Sequence, residues 1–181
     1  MLEIEVQEEM LYNESDMTFI PIKATKLRFE HSLVSISKWE SKWHKPWLGD
    51  GQKTTEEMID YLKCMCLTQN YDPKTIEHLS VENMKKIADY MDDPQTATWF
   101  NDKNKPGGKN KVITNEVIYY WMVEHGIWKE CEKWHIKHLL TLIHVCSAER
   151  APKKKMSRGE VYERQRALNA QRRAKSAKKP H

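Results

Sequence analysis

Residues 114–146, TNEVIYYWMVEHGIWKECEKWHIKHLLTLIHVC, hold many of the chain's large apolar side chains, and their spacing decides the fold class. After a polar start at Thr114-Asn115-Glu116, Val117, Ile118, Trp121 and Met122 recur at helical intervals, and Gly126 supplies a stop. Beyond it Cys131, Trp134, Leu139, Leu142, Ile143 and Cys146 fall along one side of a second helical segment, with Glu130, Glu132, Lys133 and Lys137 left to water. Two such stripes must bury each other or a third surface. The segment therefore predicts two consecutive helices as the frame of a mainly helical domain, and nothing in it is a catalytic signature.

Working back from this frame, three short helices are marked by their start signals. Ser80 caps one carrying Val81, Met84, Ile87, Ala88 and Met91, and Asp72-Pro73 opens another in the order cap, then first-turn proline. Thr54 and Glu57 form a capping-box pattern ahead of Met58, Ile59, Leu62, Met65 and Cys66. Ser32 to Trp47 reads as a further helix closed by Pro46, with Ile36, Trp39 and Trp43 on its apolar face and Lys38, Glu40 and Lys42 in the gaps. At the N-terminus, Leu2, Ile4 and Val6 alternate with Glu3, Glu5 and Gln7, the two-residue period of a half-buried strand. A polar turn at Tyr12 to Asp16 and short strands at Met17 to Ile22 and Thr25 to Phe29 complete a hairpin or three-stranded sheet, with Pro21 at an edge or bend. Thr96 to Phe100 reads as a short extended piece, and Asn101 to Lys111 as a mobile glycine-containing loop without the P-loop ending that holds phosphate.

The expected class is thus mainly α with a small N-terminal β-hairpin or short sheet (α+β): residues 1–31 a β segment packed on the body, 32–149 a compact helical body, and 150–181 a basic C-terminal helical arm. Charge separates the last two. Residues 150–181 hold 12 Lys and Arg against 2 Glu, whereas residues 1–149 hold 18 basic against 24 acidic side chains. Arg158, Arg164, Arg166, Arg172 and Arg173 lie on the arm, whose thin apolar stripe of Val161, Tyr162 and Leu168 suits a projecting helix that orders on a partner. Such an arm attracts an acidic protein face, or nucleic acid without sequence preference. No run approaches the ~18 apolar residues of a membrane span, and the start lacks the pattern of a secretory signal. A soluble intracellular protein with free thiols at Cys64, Cys66, Cys131 and Cys146 is expected.

Candidate chemistry is sparse. Cys131, His135 and His138 would share one face of a continuous helix, with His125, His144 and Cys146 nearby, a spacing that zinc could use; packing is favoured because structural zinc ligands usually come from turns. Cys64 and Cys66 would diverge by ~200° on a helix and are read as packing. No Ser-His-Asp elbow and no converging carboxylates occur, so no enzyme, cofactor or metal is expected. The tryptophans Trp39, Trp43 and Trp47 either anchor their helix on the core or form an aromatic platform for a partner. The Trp39 and Trp43 face and the Met84 and Met91 face are the candidate grooves for an amphipathic helix, provided they are exposed.

Several segments resemble the tail assembly chaperones of long-tailed bacteriophages. The likeness runs through Ser32-Leu-Val-Ser-Ile-Ser-Lys-Trp-Glu-Ser-Lys-Trp43, Met58-Ile-Asp-Tyr-Leu-Lys-Cys-Met65 with Thr68-Gln-Asn70, and Ile118-Tyr-Tyr-Trp-Met122. It continues through Cys131-Glu-Lys-Trp-His135, Leu139-Leu-Thr-Leu-Ile143, Met156-Ser-Arg158, Ala167-Leu-Asn-Ala170 and Arg172-Arg173. The resemblance implies a non-enzymatic helper in the host cytoplasm that keeps the tape-measure protein soluble and aids assembly of tail-tube subunits around it. A structural virion component of the tail or connector, and a nonspecific nucleic-acid-binding accessory protein, are the alternatives; self-association is left open.

Overall fold

The alternation at the N-terminus folds as a two-stranded ribbon. β1 (Leu2–Val6) pairs antiparallel with β4 (Thr25–Phe29), and β2 (Glu9–Asn13) with β3 (Thr18–Ile22). The two ladders share one register, since Val6 faces Thr25 and Glu9 faces Ile22 across a gap of two residues on each strand. They form successive halves of one long hairpin. This corrects the expected turn at Tyr12 to Asp16, because Tyr12 lies within β2 opposite Phe19. Pro21, on a ribbon where each strand has an open side, costs no ladder partner on that side.

The computed structural model describes residues 1–13, 17–49, 51–100, 112–150 and 158–177. After the hairpin come α1 (Leu33–Trp43), α2 (Thr55–Met65), α3 (Pro73–Glu77), α4 (Val81–Asp92), α5 (Asn115–His125), α6 (Ile136–Arg150) and α7 (Arg158–Ala177). The fold is α+β and mainly helical. The chain divides into two compact units, Met1–Ala148 and Glu149–His181. The expected loop at 101–111 and the segment preceding α7 lie outside the described residues, and Thr96 to Phe100 forms no strand.

Start signals legible in the sequence are realised in atomic detail. Ser32 and Ser35 exchange side-chain to backbone hydrogen bonds at the start of α1, and Thr54 and Glu57 do so for α2. Asp72 caps α3 ahead of Pro73, and Ser80 caps α4. Gly126 ends α5 in the left-handed conformation (φ 65°), sending its N–H to the Met122 and Val123 carbonyls. α1 ends earlier than Pro46 implies, through left-handed His44 (φ 52°).

One core joins the elements of the first unit. Ile4, Leu27 and Phe29 from the hairpin meet Leu33, Ile36 and Trp39 of α1, with Tyr61, Leu62 and Met65 of α2 beside them. Ile118 and Met122 of α5 and Ile136, Leu139 and Ile143 of α6 complete it. The second half of the 114–146 frame departs from expectation. Lys129–Lys133 form a 3-10 turn and the α-helix starts only at Ile136, so Cys131 is buried while Trp134 is exposed. The break is fixed from outside the segment: Ser32 and His135 form an isolated β-bridge, and Ile136 N–H donates to the His31 carbonyl at 2.7 Å.

Glu40, expected in water, is buried. Its Oε1 accepts from the Trp47 N–H at 2.7 Å, and its Oε2 from the Asn115 N–H at 2.8 Å and the Asn115 side-chain amide at 2.7 Å. Thr114, the cap residue of α5, makes no side-chain cap bond, so a carboxylate from α1 supplies it. Glu40→Ala should lower stability by about 3 kcal/mol, since it strands buried donors, and Glu40→Gln by roughly half as much because one acceptor remains. Equilibrium urea unfolding of the two variants measures both; a loss below about 1 kcal/mol for the alanine variant would contradict this role.

Candidate partner-binding surfaces

The tryptophans divide between core and surface. Trp39 is fully buried and its Nε1 donates to the Glu57 carbonyl at 2.8 Å. Trp47, also buried, stacks on Tyr61 with ring centroids 3.4 Å apart and meets Trp39 edge-on at 4.9 Å. These two rings are therefore core, the anchoring alternative of the sequence reading, and neither offers the platform or partner contact also considered for them: their large apolar area is used up in joining α1, α2 and the Trp47 segment. Trp43 is half-buried, stacks against Trp39, and donates through Nε1 to Asp60 Oδ2 at 2.8 Å. It walls a cleft of about 440 Å³ shared with Ile59, Lys42, Asp60, Lys63 and Glu77. Lys42 pairs with Asp60 and Lys63 with Glu77, so both lysines of this cleft are matched by carboxylates, and Glu56 adds a further carboxylate to its lining.

Met84 and Met91 do not make the expected groove. Met91 is half-buried against the core, whereas Met84 and the neighbouring Val81 are exposed on α4. Cys131, His135 and His138 do not share a helix face either, because the helix begins after His135; His138 is exposed and stacks on Trp134 at 4.9 Å. Among the described residues no group of three or more His, Cys, Asp or Glu is placed to hold a metal ion. Cys64 and Cys66 are half-buried and free, and burial pushes both thiols above their ordinary pKa, which makes them poor nucleophiles.

A bare apolar face on the hairpin is not legible as such in the sequence. On the distal half of the hairpin, Tyr12 and Phe19 face each other with ring centroids 5.1 Å apart, and Met10 lies opposite Pro21 on the same face. Tyr12, Phe19, Met10 and the nearby Met17 are all exposed, Phe19 by 66% and Met17 by 80%. The opposite face carries Leu11, Ile20 and buried Ile22. The sequence signal was the consecutive apolar run Met10-Leu11-Tyr12, which breaks strict alternation: a ribbon apolar on both faces covers only one of them. A second bare patch lies at the end of α5, where Tyr120, Val123 and, past Gly126, Trp128 are exposed.

In the second unit, Arg158, Arg164, Arg166, Arg172 and Arg173 are all exposed on α7, as are Val161, Tyr162 and Leu168. At ~100° per residue, Arg158, Arg166, Arg172 and Arg173 share one half of the helix with Val161, Tyr162 and Leu168, while Glu163, Ala167 and Ala170 lie opposite. No helix among the described residues is long and apolar enough to cross a membrane. No family model matches the chain, and no curated protein and no solved structure matches it significantly.

A buried histidine pair underlies the junction between the hairpin, α1 and α6. His31 Nδ1 and Tyr61 Oη are hydrogen-bonded at 2.5 Å, and the His31 and His135 rings meet edge-on at 5.2 Å. His135 donates from Nε2 to the Tyr90 carbonyl at 3.1 Å, leaving its buried Nδ1 without a hydrogen-bond partner among the described residues. Burial, then repulsion from His135 and Lys137, pushes His31 down to about 3, and burial also lowers His135. At neutral pH both rings are therefore uncharged in the fold, whereas the unfolded chain takes up protons near pH 6.5. Stability is full above that pH and declines as pH falls toward 3, by ~1.4 kcal/mol per pH unit for His31 alone. Thermal melts between pH 7.5 and 4.5 should show this decline, and His31→Asn should flatten it; an unchanged slope in the variant would assign it to other groups.

Proposed function

We propose that this chain is a non-enzymatic interaction protein of bacteriophage tail morphogenesis, a tail assembly chaperone that covers apolar segments of the tape-measure protein until tail-tube subunits replace it. The observation carrying this reading is the exposed Met10, Tyr12, Met17 and Phe19 face on a two-stranded ribbon with open edges. An apolar face of this kind gains free energy only when covered, at ~25 cal/mol per Å² removed from water. Methionine and aromatic side chains in combination adapt to varied apolar surfaces, which suits a client presenting many similar helical segments. The cationic half of α7 adds a contact of different chemistry for an acidic component. The sequence motifs noted above support the same reading.

Co-expression with the cognate tape-measure protein should raise its soluble yield, and the two should co-purify. Tyr12→Ser combined with Phe19→Ser should weaken capture by roughly 10- to 100-fold, as for the loss of two aromatic anchors. Because both rings are exposed, the melting temperature of the double variant should stay within about 3 °C of the parent. No gain in soluble tape measure with the parent protein would refute the chaperone reading. Stoichiometric amounts of the chain in purified mature particles, measured by mass spectrometry, would instead identify a structural component.

A further inference from the structure

The exposed, arginine-bearing half of α7 has a counterpart in the first unit. Between β1, the start of β2 and the first turns of α4 lies a groove of about 530 Å³. Its lining carries Glu3, Glu5, Glu9 and Glu82 against Lys86, with uncharged polar side chains such as Gln7 and Asn83, half-buried Val6, and Ile4 and Ile22 buried behind it. Lys86 pairs with Glu82 at 2.9 Å and Lys26 with Glu5 at 2.7 Å, while Glu3 and Glu9 are exposed and make no ion pair among the described residues. The groove lining therefore holds four carboxylates against one lysine, with Arg28 and Lys26 facing Glu3 and Glu5 from the neighbouring strand, and a partly exposed apolar contact at Val6. The arginine-bearing half of α7 combines positive charge with Val161, Tyr162 and Leu168.

Lengths also correspond. Glu3 and Glu9 stand six residues apart along an extended ribbon, about 20 Å at 3.3 Å per residue. Arg158 and Arg173 stand fifteen residues apart on a helix, about 22 Å at 1.5 Å per residue. Val161 and Leu168, seven residues apart, fall between them on the same half of the helix. The groove has room for a row of side chains from one helical face.

We propose that α7 of one copy docks in this groove of a second copy, so that the protein assembles head to tail through unlike surfaces. Such a contact is heterologous, and it propagates into chains or closes into rings according to the rotation between copies. Apolar contact at Val161 and Leu168 holds the helix in place, and the arginines set its register against Glu3 and Glu9 and accelerate encounter. The inference is independent of the tail-assembly reading, because both surfaces belong to this chain and no client takes part.

Sedimentation velocity of the full chain tests it. In about 0.05 M salt the weight-average mass should rise with protein concentration, and in about 1 M salt, where screening acts over ~3 Å, it should fall to the monomer value. Glu3→Lys with Glu9→Lys, and separately Arg158→Glu with Arg173→Glu, should each abolish association, with helix content and melting temperature unchanged. Combining the four substitutions in one chain should restore it, which general charge repulsion cannot do. A parent protein that stays monomeric at low salt, including one whose arm folds back on its own body, would overturn the proposal. So would association that survives the groove substitutions, or a four-site variant that fails to reassemble.

Discussion

The carboxylate of Glu40 ties together three parts of the chain that local sequence leaves separate. It sits on α1, receives the Trp47 N–H from the segment that follows, and receives both N–H groups of Asn115 at the start of α5, 75 residues away. Burying a carboxylate is costly unless its oxygens are fully hydrogen-bonded, and here the positive end of a helix and a loop amide meet that need together. The same bond places Trp47 so that its ring lies on Tyr61 and against Trp39. Disturbing Glu40 thus loosens the aromatic core and the cap of α5 at once. A polar contact inside an apolar cluster fixes which of several equally greasy arrangements the chain adopts.

That core consumes the tryptophans most conspicuous in the sequence and leaves others bare. Trp39 and Trp47 are spent on internal packing, and the hairpin face of Met10, Tyr12 and Phe19 and the Tyr120, Val123 and Trp128 patch remain in water. The outer half of the hairpin is well placed for this, because its ladder continues the register of β1 and β4 while only the inner half contributes both strands to the core. Its apolar surface can be occupied without disturbing the body. Charge follows a similar division of labour, with surplus carboxylates around the groove beside β1 and surplus arginines on one half of α7.

Much of the architecture was legible because it rests on local chemistry. Ser32, Thr54, Asp72 and Ser80 begin helices by bonding backbone N–H groups two or three residues on, and Gly126 ends one because it tolerates positive φ; none of this needs a distant partner. The alternation of Leu2, Ile4 and Val6 likewise reports a half-buried strand, and the composition change near residue 150 marks the second unit. The candidate surface was less legible. Tyr12 reads as the start of a polar turn, and Met10-Leu11 as part of no element, because strict alternation fails wherever both faces of a ribbon are apolar.

What the sequence determined alone was the class, the helix starts and the separation of charge, each a property of neighbours within a few residues. Tertiary structure alone decided which apolar side chains are covered. Trp39 and Trp47 look no more buried on paper than Trp128 or Trp134, and Glu40 no less exposed than Lys38. The second helix of the 114–146 stretch shortens to Ile136–Arg150 because His31 and Ser32 claim the backbone of His135 and Ile136, a constraint imposed from 100 residues or more away. Burial depends on what packs opposite, and periodicity reports only that something must.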